Sequence, residues 1–439
     1  MSPLSAPRRL PPFLACILLI PLGARLGAAD PPVPVTPKNV ILMIGDGMGL
    51  NQLISARYLK GKLAVEGLEH MGVSYTHSLQ NFVTDSSAGA TVLGSGYKIV
   101  NGEVGAHPDG SPVKLIVEYA EERGKWTGIV VTCRVTHATP ASMAAHVKSR
   151  GSEDEIAVQL AQSDVDVILG GGWDKFLPVR ELKIRADDAR ATRTLLASFS
   201  ERQAAASALI AEAPLLWNGN PYGTRKDGRN LIEEMKQRGY RIVRTGAELS
   251  LITSGAPGKL LGLFHSGPMA KASEGRNPSL SAMSLAALKI LSSSPKGFFL
   301  MIEGSQIDWG GHANDFDYAQ SEAADFDTAI DSVLRYLKEA GIEDETLVVI
   351  TADHETGGLT LNVHPQLPLG MEPKWTTTYH TAAPVPVFSS GPCAEQFTGI
   401  QDHERIGRKL IEAVAGAKVE LIYPAGKSAP TDMPPVRRF

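Results

Sequence analysis

Short apolar runs rich in β-branched residues recur along the chain, at Asn39–Ile44, Thr127–Thr132, Val165–Leu169, Leu261–Phe264, Phe298–Ile302, Thr346–Thr351 and Pro384–Phe388. Most lack polar alternation. A strand with that pattern is dry on both faces, as in parallel sheets covered by helices. Between these runs the apolar positions take up helical spacing. Pro112–Arg123 stops at Gly124, a residue suited to the left-handed backbone that ends helices. Glu153–Gln162, Arg229–Arg238 and Ser279–Leu291 follow the same pattern. The longest predicted helix runs from about Asp317 to Ala340, with Phe326, Ile330, Val333, Leu334 and Leu337 near one stripe. Strands alternating with helices predict an α/β fold, a large central and mostly parallel sheet sandwiched by helices.

Several stretches depart from this rhythm. Residues 180–255 are charged, Ala-rich and helical in pattern, with a turn cluster at Asn218–Gly223, and predict a cap inserted into a domain spanning 30–415. Residues 416–439 form a Pro-rich, basic tail. At the start, Arg8 and Arg9 precede the apolar run 13–20, and Gly27-Ala28-Ala29 follow. That order predicts a signal peptide over residues 1–29 and export to the periplasm or the extracellular space. The apolar run is too short to span a bilayer, so no stable membrane anchor is expected.

Composition narrows the partners. Of 439 residues, 43% are hydrophobic and 21% charged, which is ordinary for a globular protein. A formal net charge of -4 excludes a bulk nucleic-acid binder, so an anionic substrate needs local positive charge. Cys16 lies in the apolar run near the start. The widely spaced Cys133 and Cys393 read as two buried free thiols rather than a disulfide scaffold.

The polar chemistry gathers where strands end. Asp46 follows the first run in Gly45-Asp46-Gly47. Thr136-His137-Ala138-Thr139 follows the second. Glu303 and the segment through Asp308, Trp309 and His312 follow the run at 298, and Asp353-His354-Glu355 follows the run at 346. Ligands in open α/β sheets bind beyond the carboxyl ends of strands. One Asp-Gly is usually a turn, and one His after a strand is usually structural. Together, Asp46, Glu303, Asp308, His312, Asp353 and His354 would repel or desolvate one another without cations. Mixed His and carboxylate ligands suit zinc, while a carboxylate, hydroxyl and water set suits magnesium.

Val83-Thr84-Asp85-Ser86-Ser87-Ala88 predicts a helix start. Asp85 or Ser86 would cap it. Alternatively, Ser86 is a nucleophile at a helix N-terminus, activated by an adjacent metal. Arg150 is either a solvated charge or a planar fork for phosphate.

Thr84-Asp85-Ser86-Ser87-Ala88, Ala138-Thr139-Pro140, His146-Val147-Lys148-Ser149-Arg150, Glu303-Gly304, Asp308 with His312, Thr351-Ala352-Asp353-His354 and His380-Thr381-Ala382-Ala383-Pro384 together resemble the alkaline phosphatases. The resemblance extends from about Val40 to Val387. It implies that Ser86 is the nucleophile and that Arg150 clamps phosphate oxygens. It implies one zinc held by Asp308, His312 and His380, and a second held by Asp46, Asp353 and His354. Asp46 would bridge to a third site, usually magnesium, completed by Thr139 and Glu303. It further implies hydrolysis of phosphate monoesters through a phosphoserine, a crown insertion and a homodimer. His137 and Trp309 depart from the enteric bacterial pattern, which has Asp and Lys there. His137 would bind the third metal directly or through water, and Trp309 removes a cation from the phosphate environment. A phosphodiesterase on the same metal scaffold and a non-catalytic phosphate- or metal-binding protein are the alternatives, and Ser86 with Arg150 favours monoesters.

Overall fold

Along β1 (Asn39–Gly45) every residue is buried, and successive side chains turn to opposite faces. Val40, Leu42 and Ile44 join one apolar layer, and Ile41 and Met43 join another. A strand with two dry faces needs helices on both sides. In the computed structural model, which describes residues 36–179, 223–255, 258–366 and 370–421, it has them.

The remaining strands, in chain order, are β2 (His70–Tyr75), β3 (Trp126–Arg134), β4 (Val167–Gly171), β5 (Tyr240–Val243), β6 (Lys259–Leu263), β7 (Phe298–Gly304), β8 (Thr346–Thr351), β9 (Glu355–Thr356), β10 (Thr360–Val363), β11 (Met371–Lys374), β12 (His380–Thr381), β13 (Val385–Ser390) and β14 (Gly399–Asp402). Ten of them form one sheet in the order β14-β2-β13-β8-β1-β7-β3-β4-β6-β5. Its pairings are parallel except those of β13, which runs antiparallel to β2 and β8. Helices Ser86–Ser95, Ile116–Glu122, Glu153–Gln162, Leu231–Gln237 and His403–Ala415 bury apolar residues against one face. Leu50–Lys60, Leu280–Leu291 and Phe316–Glu339 cover the other. In the long helix Phe326, Ile330, Val333 and Leu337 are buried as their spacing predicts, while Leu334 is half-buried.

All seven predicted strands are present, with ends shifted by a few residues. The expected cap divides at the limits of the described residues. Residues 180–222 lie outside them. Within 223–255, helix Leu231–Gln237 packs into the core and β5 pairs with β6 as the outer strand of the main sheet. That part of the stretch therefore belongs to the sandwich, not to a cap. Its strand escaped notice because Arg241 interrupts the apolar run and is exposed. The expected signal peptide and most of the Pro-rich tail also lie outside the described residues. Among the described residues no helix is long and apolar enough to cross a membrane. Cys133 is a buried free thiol, as expected, but Cys393 is only half-buried and is not bonded to it.

Candidate active site

Strand register assembles the site. Ile44 lies opposite Glu303 on one side and Thr351 on the other, and Val131 lies opposite Glu303 across the next pairing. Asp46, Asp353 and Cys133 each lie two residues beyond one of these positions. They therefore emerge beside Glu303 at one rim. Gly47 makes the turn after Asp46 with φ +72°, and a Cβ there would fall 2.7 Å from Asp308 Cα. The Asp-Gly pair is thus a turn, and the turn is what lets two strand ends approach.

Donor atoms cluster in three groups, each with its members within 4.8 Å of one another: Asp46, Asp353 and His354; Asp308, His312 and His380; Cys133, His137 and Glu303. In the first, His354 Nε2 lies 3.4 Å from both Asp46 Oδ1 and Asp353 Oδ2. Asp353 Oδ1 accepts the Gly47 amide at 3.3 Å and the His354 amide at 3.0 Å, which fixes its plane. In the second, His312 Nδ1 donates to Thr378 O at 2.6 Å and His380 Nδ1 donates to Thr84 O at 2.8 Å. Both Nε2 atoms then turn inward, 3.1 Å apart. Two imidazole lone pairs at that distance repel unless a proton or a cation lies between them. The His354 and His380 rings stack at 3.6 Å, so the two groups touch.

The hydrogen-bond inventory fits metals. Asp46 Oδ1 and Oδ2, Asp353 Oδ2, Glu303 Oε1, Thr139 Oγ1 and His137 Nδ1 are buried and lack a hydrogen-bond partner among the described residues. Buried polar atoms are rarely left so. Burial, then Asp353, Asp308 and Glu303, push Asp46 far above the usual carboxylate range. Burial and then Asp308 and Glu303 do the same to Asp353, and burial lifts Glu303 to about 7. A hydrogen bond to Asp308 lifts His312 to about 9. The described residues bring too little positive charge here, a deficit that divalent cations would make good.

Ser86 opens helix Ser86–Ser95, but Asp85 is the cap, accepting the Ala88 amide at 3.0 Å. Released from capping, Ser86 Oγ lies 3.2 Å from His354 Nε2. Arg150 donates to Asp85 Oδ2 at 3.0 Å and approaches His137 Nε2 at 3.4 Å. Burial, followed by the Arg150 charge, lowers His137 to about 4. Trp309 meets the His137 ring edge-on at 5.9 Å. Asp85, Ser86, His137, Arg150 and Trp309 line a cleft of 430 Å³ with Val83, Asn101, Asp308 and His380. Of the residues predicted for the site, all but Thr139 line this cleft or belong to one of the donor groups, and Thr139 is buried with its Oγ1 lacking a partner among the described residues.

Sequence reasoning missed three contributors. In the sequence Cys133 signals no more than a buried thiol. Thr356 donates to Asp308 Oδ1 and contacts His354 Nδ1 at 3.2 Å, tying the two His-bearing groups together. Glu355 accepts from Gln52 at 2.7 Å, from the Gly358 amide at 3.0 Å and from Thr381, next to His380. Only adjacency to His354 in the sequence signalled the last two.

The alkaline phosphatase family model matches residues 37–374. Alkaline phosphatase 4 of Bacillus subtilis (strain 168) is 34% identical over 354 residues, covering 76% of this chain and 65% of that relative. The chain thus spans just under two thirds of that relative's length. The alkaline phosphatase of the Antarctic bacterium TAB5 superposes with a TM-score of 0.71 at 36% identity, covering 87% of this chain and 99% of that one. A variant of the TAB5 enzyme, with a histidine replaced by aspartate and Mg bound in its M3 site, superposes with a TM-score of 0.71 at 33% identity, covering 88% of this chain and 100% of that one. With matching sequence and fold, this chain belongs to the alkaline phosphatase family.

Proposed function

We propose that this chain hydrolyses phosphate monoesters through a phosphoserine at Ser86. One observation carries the reading: Ser86 Oγ, relieved of capping by Asp85, faces His354 in a cleft shared with Arg150 and bordered by three donor groups. Asp308, His312 and His380 would hold one zinc, and Asp46, Asp353 and His354 a second. Asp46, Thr139 and Glu303 would hold a third metal, with His137 alongside. When bound, such ions stabilise charge on the attacking and leaving oxygens and make a hydroxyl or water nucleophilic near neutrality.

The chain's own groups do the rest. Arg150, held by Asp85, presents a planar fork to two non-bridging phosphate oxygens. The first-turn amides of helix Ser86–Ser95 add partial positive charge. Ser86 Oγ attacks phosphorus, an Oγ–P bond forms, and the bond to the leaving alcohol breaks. Water then attacks phosphorus, the Oγ–P bond breaks, and inorganic phosphate leaves. A monoester with one oxygen at the metals still offers two to Arg150, whereas a diester offers one. Monoesters are therefore the preferred class.

Acid-quenched turnover with a monoester should trap phosphate on Ser86 and none on Ser86→Ala. Absence of turnover with zinc and magnesium supplied would refute the proposal. We further place the enzyme outside the cytoplasm, supported by the charged, apolar and small-residue order of residues 8–29. A homodimer follows from the family resemblance and is checked by light scattering.

A further inference from the structure

We propose that the third donor group is a mixed sulfur, nitrogen and oxygen site in which Cys133 is a metal ligand, and that it therefore selects zinc over magnesium. The inference rests on the reading above only in taking that rim to bind metal. Cys133 sits near the end of β3, two residues past Val131, the residue paired with Glu303. Its Sγ reaches Glu303 Oε2 at 3.4 Å. Two donors held at about 2.0 and 2.3 Å on one tetrahedral zinc are about 3.5 Å apart. His137 completes the group within 4.8 Å.

Further observations point to a ligand between these residues. Glu303 and Thr139 are fully buried, and Glu303 Oε1 and Thr139 Oγ1 lack partners among the described residues. His137 Nδ1 is likewise without one. A small apolar side chain in place of Cys133 would fill the same space but would add no fourth donor beside them. As a bare thiol, Cys133 lies 3.1 Å from the Arg134 carbonyl and next to a carboxylate, a weak use of a fully buried donor. One thiolate, one imidazole and one carboxylate make a three-donor set of the zinc type, and Asp46 or Thr139 would supply the fourth ligand. Magnesium takes oxygen ligands in near-ideal octahedra and keeps several waters, for which a thiol is unsuited. As the ion enters, the thiol proton leaves to solvent and the Sγ–metal bond forms.

The test uses the whole chain. Stripped and reloaded with cobalt(II), the wild-type protein should show a near-ultraviolet sulfur-to-cobalt charge-transfer absorption that Cys133→Ser lacks. Loaded with zinc in a large excess of magnesium and measured by elemental analysis, the wild type should retain three zinc ions per chain. Cys133→Ser should retain two and take magnesium instead. A wild-type cobalt protein without the charge-transfer absorption overturns the proposal, and that measurement needs no variant to fold. A third site that takes magnesium as readily in the wild type as in Cys133→Ser also overturns it. Failure of the functional reading looks different, with no phosphate trapped on wild-type Ser86. Two retained zinc ions and a trapped phosphoserine without the sulfur absorption sink the Cys133 proposal alone.

Discussion

Asp85 holds four groups at once, so replacing it separates two roles. Its Oδ1 accepts the Ala88 amide at 3.0 Å, and its Oδ2 accepts the Gly102 amide and Arg150 Nη1, each at 3.0 Å. Ser87 Oγ donates to it at 2.8 Å. Asp85→Ala removes the cap, at a cost of about 1 kcal/mol. The Gly102 amide keeps Ser87 Oγ as an acceptor at 3.1 Å and so adds less than about 1 kcal/mol. The ion pair adds less than about 1 kcal/mol, because Arg150 is 29% and Asp85 19% exposed and solvent screens the pair. The expected loss of stability is about 2 kcal/mol by urea unfolding at saturating zinc and magnesium. Asp85→Asn keeps an Oδ1 acceptor for the cap but loses the charge that holds Arg150. It should therefore lose about 1 kcal/mol or less. Both variants leave the guanidinium to be ordered by phosphate itself. Inhibition by phosphate should weaken about fivefold in each, equivalent to about 1 kcal/mol. If Asp85→Asn is as unstable as Asp85→Ala, the cap is not what stabilises. If neither variant changes phosphate inhibition, Asp85 does not position Arg150.

Trp309 lines the cleft and brings no cation to it, so Trp309→Lys should tighten product inhibition; a phosphate inhibition constant that rises would contradict this. Chelation should lower stability, because buried Asp46, Asp353 and Glu303 lose their counter-charge. Each metal present at about 100 times its dissociation constant contributes about 2.7 kcal/mol by linkage, and thermal unfolding with and without chelator measures it. Glu121 is raised to about 7, first by burial and then by Asp164 and Asp166, and its Oε1 has no partner among the described residues. A carboxylate whose folded pKa lies above its unfolded value holds its proton more tightly when folded. Stability therefore falls as pH rises from the unfolded pKa through about 7. Glu121→Gln should unfold at higher urea than wild type above that range, with the difference shrinking toward acid pH; a difference independent of pH refutes the assignment.

The sheet was largely legible because its central strands are dry on both faces and carry no polar alternation. β2 and β14 were not, since their exposed edges break the apolar run: Met71, Tyr75 and Ile400 face solvent. β5 was hidden by its charged neighbours. The donor residues were legible as polar clusters after strands, but no pattern in the chain marks which strand ends meet. That depends on β1 pairing with both β7 and β8, contacts between residues hundreds of positions apart. Ser86 was ambiguous for a similar reason. Asp85 and Ser86 are both good caps, and only the folded helix start assigns the duty to Asp85. Cys133 gave no signal, because one cysteine in a strand is usually packing.

The pairing that assembles the rim also imposes an order in time. Asp46 leaves the first strand of the sheet, while Asp353, His354 and His380 arrive with β8 and the β9–β12 pair, after most of the chain has been made. A growing chain therefore carries scattered donor residues but no assembled rim. If the donor groups hold metals as proposed, the choice of ion would fall to the moment when the last strands dock, and hence to whatever ions surround the protein there.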